Sequence, residues 1–244
     1  MKSAADIRMA DLQAELGSMS VEAFLARALS EFRGGLTFAC SFSAEDIVLL
    51  DLLLRVEPRA SVFVLDTGRL HQETYDLIDA VRQRCGRSFD SYVPEARALE
   101  ALLREFGPNG FYSSVEARRA CCRVRKVEPL ARALTGRTAW LTGLRREQSV
   151  TRTGLALVAV DEAHGGILKL SPLADWNEAR VWDYIRANRL PYNALHDRGY
   201  PSIGCAPCTR AIRRIEDLRA GRWWWEQPEH KECGLHGRAP EYNI

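Results

Sequence analysis

The sequence predicts an α/β fold: a mainly parallel sheet with helices on both faces and an irregular C-terminal tail. Short β-rich runs alternate with stretches whose apolar residues recur at helical spacing, the signature of β-α-β connections. The runs end in polar turns, SFSAED, DTG and TGLRREQ. In a parallel sheet such turns share one rim, where ligands bind beyond the carboxyl ends of the strands. The chain has 244 residues, 46% of them apolar and 27% charged, enough for one large domain or one domain with a modest appendage. That composition excludes a disordered, collagen-like or low-complexity chain.

From the N-terminus, Ser20 caps a helix whose apolar residues Val21, Phe24, Leu25 and Leu29 share a face, and Gly34-Gly35 stops it. Leu36–Ala39 reads as a strand that feeds the SFSAED turn and a helix over Ile47–Val56. Ser61–Leu65 is a second strand, ending in Asp66-Thr67-Gly68 and followed by a helix over His71–Arg84. Ser88–Val93 is a third strand, Glu95–Phe106 a helix, and Ser113–Leu134 is mostly helical. Thr138–Leu141, Leu155–Val160 and Ile167–Leu170 read as further strands. Trp176–Asn188 is an amphipathic helix with Ala179, Trp182 and Ile185 on one side. Beyond Pro201 the periodicity stops.

The N-terminal residues carry both charge signs and form no apolar core of a secretory signal, and no apolar run is long enough to span a membrane. A cytoplasmic location is expected. Lys plus Arg exceed Asp plus Glu by only 34 to 32, which argues against a nucleic-acid partner. Seven cysteines in a reducing compartment point to metal binding or catalysis rather than to disulfides.

Four groups of residues carry chemistry. A serine-bearing turn entering a helix N-terminus, SFSAED, presents backbone N–H groups to a phosphate, although Ser43 also serves as an ordinary helix cap. The adjacent Cys121-Cys122 pair joins Cys205-Ala206-Pro207-Cys208, a C-x-x-C spacing. Neighbouring helical side chains diverge by about 100°, so one small ion strains to take both sulfurs. A cluster of several irons offers each sulfur its own metal, and [4Fe–4S] suits the quartet better than the alternatives, zinc or a redox disulfide at C-x-x-C. Arginines and lysines crowd both cysteine pairs and the TGLRREQ turn, the chemistry of oxyanion recognition and of a counter-charge to a thiolate cluster. Near the C-terminus, Cys233 stands in a Gly-flanked segment beside His230, Lys231 and His236, which favour its thiolate, although taken alone the segment reads better as an exposed tail thiol without a role. Cys40 and Cys85 read as structural, His71, His164 and His196 as incidental, and Trp223–Trp225 as a packing anchor rather than a base-stacking platform.

From about Leu36 to His236 the motifs SFSAED, LDTGRLHQETYD, CCRVRKVEPL, TGLRREQS, SPLADWNEARVWDYI, GYPSIGCAPCTRA, GRWWWE and KECGLH together resemble the assimilatory adenylylsulfate (APS) reductases. The resemblance implies an adenine nucleotide α-hydrolase-like fold related to the ATP pyrophosphatases. It implies residues 1–204 as a nucleotide-binding domain carrying the CC pair and residues 205–244 as a segment with C-x-x-C and the catalytic tail. Cys121, Cys122, Cys205 and Cys208 then hold a [4Fe–4S] cluster, and Cys233 is the nucleophile. Ser43, Leu65, Thr67, Lys126, Gly143, Arg145, Arg152, Arg219 and Arg222 bind the substrate APS. Thioredoxin or glutaredoxin is the implied reductant, and the oligomeric state is left open between a monomer and a homo-oligomer. SFSAED lacks the glycine that many relatives carry in this loop, and the segment from Thr151 to Ile167 matches loosely.

Three rival readings stand beside this one. A reductase for the 3′-phosphorylated substrate (PAPS), or for both substrates, is the nearest, although such PAPS enzymes generally lack the cysteine quartet. A tRNA-thiolating enzyme of the same superfamily needs an RNA affinity that the near-neutral charge does not supply. A non-catalytic iron–sulfur or zinc module leaves the polar rims and Cys233 without a purpose.

Overall fold

The computed structural model describes residues 13–148, 152–213 and 215–227, so Cys233 and the ECGLH motif lie outside the described residues. The described residues divide into two compact units, drawn from Met1–Val62 with Gly136–Tyr192 and from Phe63–Thr135 with Asn193–Ile244. Neither unit ends at residue 204: Cys121, Cys122, Cys205 and Cys208 all belong to the second.

In the first unit, helix α1 (Val21–Phe32) is capped by Ser20, whose side chain accepts from Ala23 N, and it buries Val21, Phe24, Leu25 and Ala28. Strand β1 (Leu36–Ala39) leads through the SFS turn into α2 (Ala44–Val56), which starts three residues earlier than its apolar pattern because Ser43 caps it. Strand β4 (Ala139–Leu141) pairs in parallel with β1, Leu36 opposite Ala139, and in parallel with β6 (Ile167–Leu170), Ala139 opposite Leu168. Strand β5 (Val158–Asp161) closes the edge antiparallel to β6. The order β1-β4-β6-β5 is therefore parallel except at its last strand. Leu36, Phe38, Ala139, Trp140, Leu141 and Leu170 are all buried, as near-continuous apolar strands of a covered sheet must be. Helix α7 (Glu178–Ala187) buries Val181 and Ile185, an i, i+4 pair, whereas Ala179 faces solvent and Trp182 is half-buried. The expected face Ala179, Trp182, Ile185 is thus rotated by part of a turn. Trp176, just before the helix, supplies the missing buried aromatic, stacked under Arg180 at 4.1 Å.

In the second unit, β2 (Val62–Leu65, its first residue in the first unit) pairs in parallel with β3 (Asp90–Tyr92), Phe63 opposite Asp90. Helix α3 (Gln72–Cys85) ends on Gly86 in the left-handed conformation, and α4 (Ala96–Phe106) follows. The stretch expected to be mostly helical is three pieces. Helix α5 (Val115–Cys122), capped by Ser114, passes into a π-helical turn over Arg123–Val127 and then into α6 (Glu128–Leu134). From Pro201 to Gln227 the described chain is short turns and isolated bridges, as the loss of periodicity implied.

Asn177 Oδ1 accepts from Arg180 N at 2.8 Å and caps α7. Asn177→Ala is expected to cost about 1 kcal/mol. In a chain of this size that lowers the melting midpoint by roughly 2–4 °C, measurable by differential scanning calorimetry.

Candidate functional site

The second unit holds a pocket lined by Cys121, Cys122, Cys205 and Cys208 together with Arg69, Arg118, Arg125, Lys126, Phe111 and Trp223. Local structure brings the thiols there. Cys121 and Cys122 end α5, and the π-helical turn begins immediately after them, with Glu128 N bonding back five residues to Arg123 O. The C-x-x-C segment is a 3₁₀ turn over Ala206–Cys208, with Pro207 where no N–H is needed. It is tied down on three sides. Ala206 N donates to Arg69 O at 2.8 Å, Trp223 N donates to Cys208 O at 3.1 Å, and Tyr112 Oη donates to Pro207 O at 2.7 Å. Phe111 and Trp223 form one apolar cluster with Cys205 and Cys208, and Cys121 and Trp225 pack against it.

The pocket is rich in buried positive charge. Arg118, Arg125, Lys126 and Arg222 are each less than a tenth exposed. Glu226 answers Arg118, accepting from Nε and Nη2 at 2.8 Å each. Arg125 Nη1 donates to Thr67 O at 2.6 Å. Arg118 and Arg222 lie over the Trp223 ring at 4.9 and 4.7 Å. Gly204 leaves room for Arg222, because a Cβ there would overlap the guanidinium.

This field acts on the thiols unevenly. Burial pushes the Cys205 thiol up, but Lys126, the 3.3 Å hydrogen bond with Thr67 Oγ1, Arg222 and Arg125 together hold it below the usual thiol range. Burial, then the neighbouring Cys205 charge, pushes Cys208 up to about 12, and burial also raises Cys121. The surrounding cations thus favour the anion of one thiol over that of its neighbours, and four thiolates in one pocket need further positive charge among them.

The residues present fit a thiolate-ligated iron–sulfur cluster. They supply four sulfur donors, an aromatic shell and buried cations. Trp223 Nε1 is buried and meets no hydrogen-bond acceptor among the described residues. No three His, Cys, Asp or Glu side chains are grouped as ligands of a single ion among the described residues.

The first unit carries the SFSAED and TGLRREQ turns. Ser43 Oγ accepts from Asp46 N at 3.4 Å, so its helix-capping role is real. Asp46 is buried and organises both turns. Its Oδ2 accepts from Ser41 N at 2.6 Å and Ser41 Oγ at 2.5 Å, and its Oδ1 accepts from Gly143 N at 3.0 Å. Burial raises its carboxyl to about 6 despite these bonds. A Cβ on Gly143 would overlap Asp46 Oδ1, which makes glycine obligatory there. Phe42, between the two serines, takes a left-handed φ of 59°, strained for a side chain of that bulk. Arg145 is buried and ion-paired, its Nε and Nη2 donating to Glu45 Oε1 at 3.0 and 2.8 Å. Gln148 Oε1 accepts from Arg145 N at 3.2 Å and from Arg152 Nη1 at 2.5 Å, linking two expected binding residues.

A model of the phosphoadenosine phosphosulfate reductase domain matches residues 35–211. The chain belongs to the phosphoadenosine phosphosulfate reductase family. Two relatives in this family are named adenosine 5'-phosphosulfate reductase. That of Allochromatium vinosum is 56% identical over 203 residues, 83% of this chain and 79% of its own. That of Burkholderia cepacia is 53% identical over 216 residues, covering 88% and 86%. The crystal structure of phosphoadenylyl-sulfate (PAPS) reductase from Candida auris, a phosphate complex, superposes with a TM-score of 0.73 at 29% identity, over 87% of this chain and 98% of that one. FMN adenylyltransferase of Candida glabrata, at TM-score 0.56 and 17% identity over 95% and 79%, shares the fold alone. The matched stretch contains both cysteine pairs and stops short of Arg219, Arg222 and Cys233.

Of the residues expected to act, the four cysteines, Thr67, Lys126 and Arg222 meet around the pocket of the second unit. Thr67 is engaged with Cys205 there. Leu65 ends β2 half-buried, and Arg219 is half-buried with its N donating to Asp217 Oδ1 at 2.8 Å. Ser43, Gly143, Arg145 and Arg152 belong to the first unit. The sequence reading missed Asp46, Gln148, Glu226 and the role of Arg118. Arg118 and Cys122 stand i, i+4 on one helix, a spacing that signals contact.

Gly143→Ala is expected to lose about 1–3 kcal/mol through overlap with Asp46, seen as a lowered melting midpoint. The folded Asp46 carboxyl holds its proton to higher pH than an unfolded one, from 3.8 to about 6. Stability from this group is therefore full below pH ~4 and is lost as pH rises through about 6. Asp46→Asn should be less stable at every pH, because its amide meets a backbone N–H, and should lose that part of the pH dependence in chemical denaturation.

Proposed function

We propose that the chain reduces adenylylsulfate to sulfite and AMP in the assimilation of sulfate toward cysteine, in the cytoplasm, with Cys233 as nucleophile and a thioredoxin or glutaredoxin as electron donor. The observation that carries this reading is the cysteine quartet in one cation-lined pocket, in a chain about half identical to proteins named adenosine 5'-phosphosulfate reductase.

The Cys233 thiolate attacks the sulfur of the sulfate group. A sulfur–sulfur bond forms, the bond from that sulfur to the bridging oxygen breaks, and AMP leaves with the electron pair. The product on the enzyme is an S-sulfocysteine. A thiolate of the reductant then attacks Cys233 Sγ, and sulfite departs with the pair. The reductant's second thiol displaces Cys233 from the mixed disulfide, so two electrons come from the dithiol, which ends as a disulfide.

Cys121, Cys122, Cys205 and Cys208 are assigned to a [4Fe–4S] cluster, which when bound supplies a cross-link between α5 and the C-x-x-C turn and a fixed local charge. Lys126, Arg219 and Arg222 are assigned to the phosphosulfate, where preorganised cations favour the departing phosphate. Ser43, Leu65, Thr67, Gly143, Arg145 and Arg152 are assigned to the nucleotide. Arg145 exchanges Glu45 for substrate as it binds, which keeps its charge compensated in both states. Residues from 205 onward, bearing C-x-x-C and Cys233, act as the segment that delivers the nucleophile.

The PAPS reductase of Candida auris, at 29% identity, favours the 3′-phosphorylated substrate as a second reading. Intact mass of anaerobically purified protein, incubated with either substrate and no thiol, separates the two. One added sulfonate on Cys233 with adenylylsulfate alone is the expected result. Addition with both substrates widens the specificity, and addition with neither, on protein that retains its iron, overturns the reductase reading. Cys233→Ser is expected to abolish turnover with the iron retained. Cys121→Ser and Cys208→Ser should lose iron and acid-labile sulfide, and stoichiometric zinc without sulfide would overturn the cluster.

A further inference from the structure

The two adjacent cysteines are served from opposite directions along the helix. Arg125, four residues after Cys121, hydrogen-bonds the Cys121 side chain, and Arg118, four residues before Cys122, hydrogen-bonds the Cys122 side chain. The two arginines differ in what holds them. Arg125 Nη1 donates to a neutral group, the Thr67 carbonyl, at 2.6 Å. Arg118 is held by a carboxylate: Glu226 Oε1 and Oε2 accept from its Nε and Nη2 at 2.8 Å each. That bidentate contact fixes direction as well as distance. The two side chains are 1% and 4% exposed, and the Trp223 ring covers the guanidinium at 4.9 Å. An ion pair buried this deeply gives up its hydration, so it is weak evidence for stability and better explained by the geometry it fixes. What it fixes is a donor directed at Cys122 Sγ.

A metal-bound cysteine sulfur remains a hydrogen-bond acceptor, and donors to such sulfurs tune an iron–sulfur centre. We propose that Arg118, aimed by Glu226, keeps its N–H···S hydrogen bond to Cys122 when the cluster is bound, which makes the pair positioning residues that draw charge off one of the four sulfur ligands. Glu226 has a second effect. Its charge offsets that of Arg118, so the pair brings a directed hydrogen bond to Cys122 without adding net charge to the pocket. This inference rests on the assignment of the quartet to a [4Fe–4S] cluster.

The test reads the iron–sulfur stretching bands of anaerobically purified protein by resonance Raman, with iron, acid-labile sulfide and the melting midpoint measured on the same samples. The double variant Arg118→Met with Glu226→Met removes the donor and its counter-charge together and keeps the volume, which protects the fold. Glu226→Gln keeps the donor and one acceptor oxygen to aim it, and leaves the cation uncompensated. With iron and sulfide retained, the double variant is expected to move the iron–thiolate bands to higher frequency, because a sulfur that loses its donor returns charge to its bond with iron. Glu226→Gln is expected to leave those bands at the wild-type frequency or lower. Wild-type bands in the iron-retaining double variant overturn the proposal. An upward shift in Glu226→Gln overturns it too, whether or not the double variant holds iron. So does a parallel loss of iron and of melting midpoint in both variants, which marks the pair as merely structural. Wild-type protein that holds no acid-labile sulfide instead overturns the cluster reading, and this inference with it.

Discussion

A buried charge must meet an opposite charge or hydrogen-bonding groups, and in the second unit that constraint shapes the surroundings of the cysteines. Four cations, Arg118, Arg125, Lys126 and Arg222, are withdrawn from water within a short stretch of structure. Glu226 answers one of them and the Thr67 carbonyl another. The thiols share this field, which is why the Cys205 thiol is held below the usual range although burial alone would raise it. A field of this sign favours anionic groups within it.

Backbone geometry serves that constraint. An unbroken α-helix across Arg123–Val127 would carry Arg125 and Lys126 around the axis at α-helical spacing, and the π-helical turn resets that spacing directly after the cysteines. Both residues are buried in the outcome, Lys126 among the pocket's lining and Arg125 against the turn after β2. Gly204 is the complement on the other side, its missing side chain making room for Arg222.

The first unit solves the opposite problem, an anion buried among donors. Asp46 uses its two oxygens to join the turn after β1 with the turn after β4, so strand ends adjacent in the sheet become one rim. Its raised carboxyl records what that burial costs, and the left-handed Phe42 records a second cost in the same loop. Strain and unfavourable burial in one loop are what functional loops show.

The strands, helices and caps were legible in the sequence because apolar period and capping are local: Ser20, Ser43 and the run Leu36–Ala39 act within a few residues of themselves. The cysteine spacing and the flanking arginines were legible for the same reason, as chemistry written in neighbours. Where α7 faces, where the helix after Ser114 changes pitch, and that both cysteine pairs share one compact unit were not, because packing between distant segments decides them. The pairing of Arg118 with Glu226 lies furthest from the sequence. A charge on a helix has many candidate partners along a chain with 32 acidic residues, and only the fold brings one of them, 108 residues away, into the same dry site.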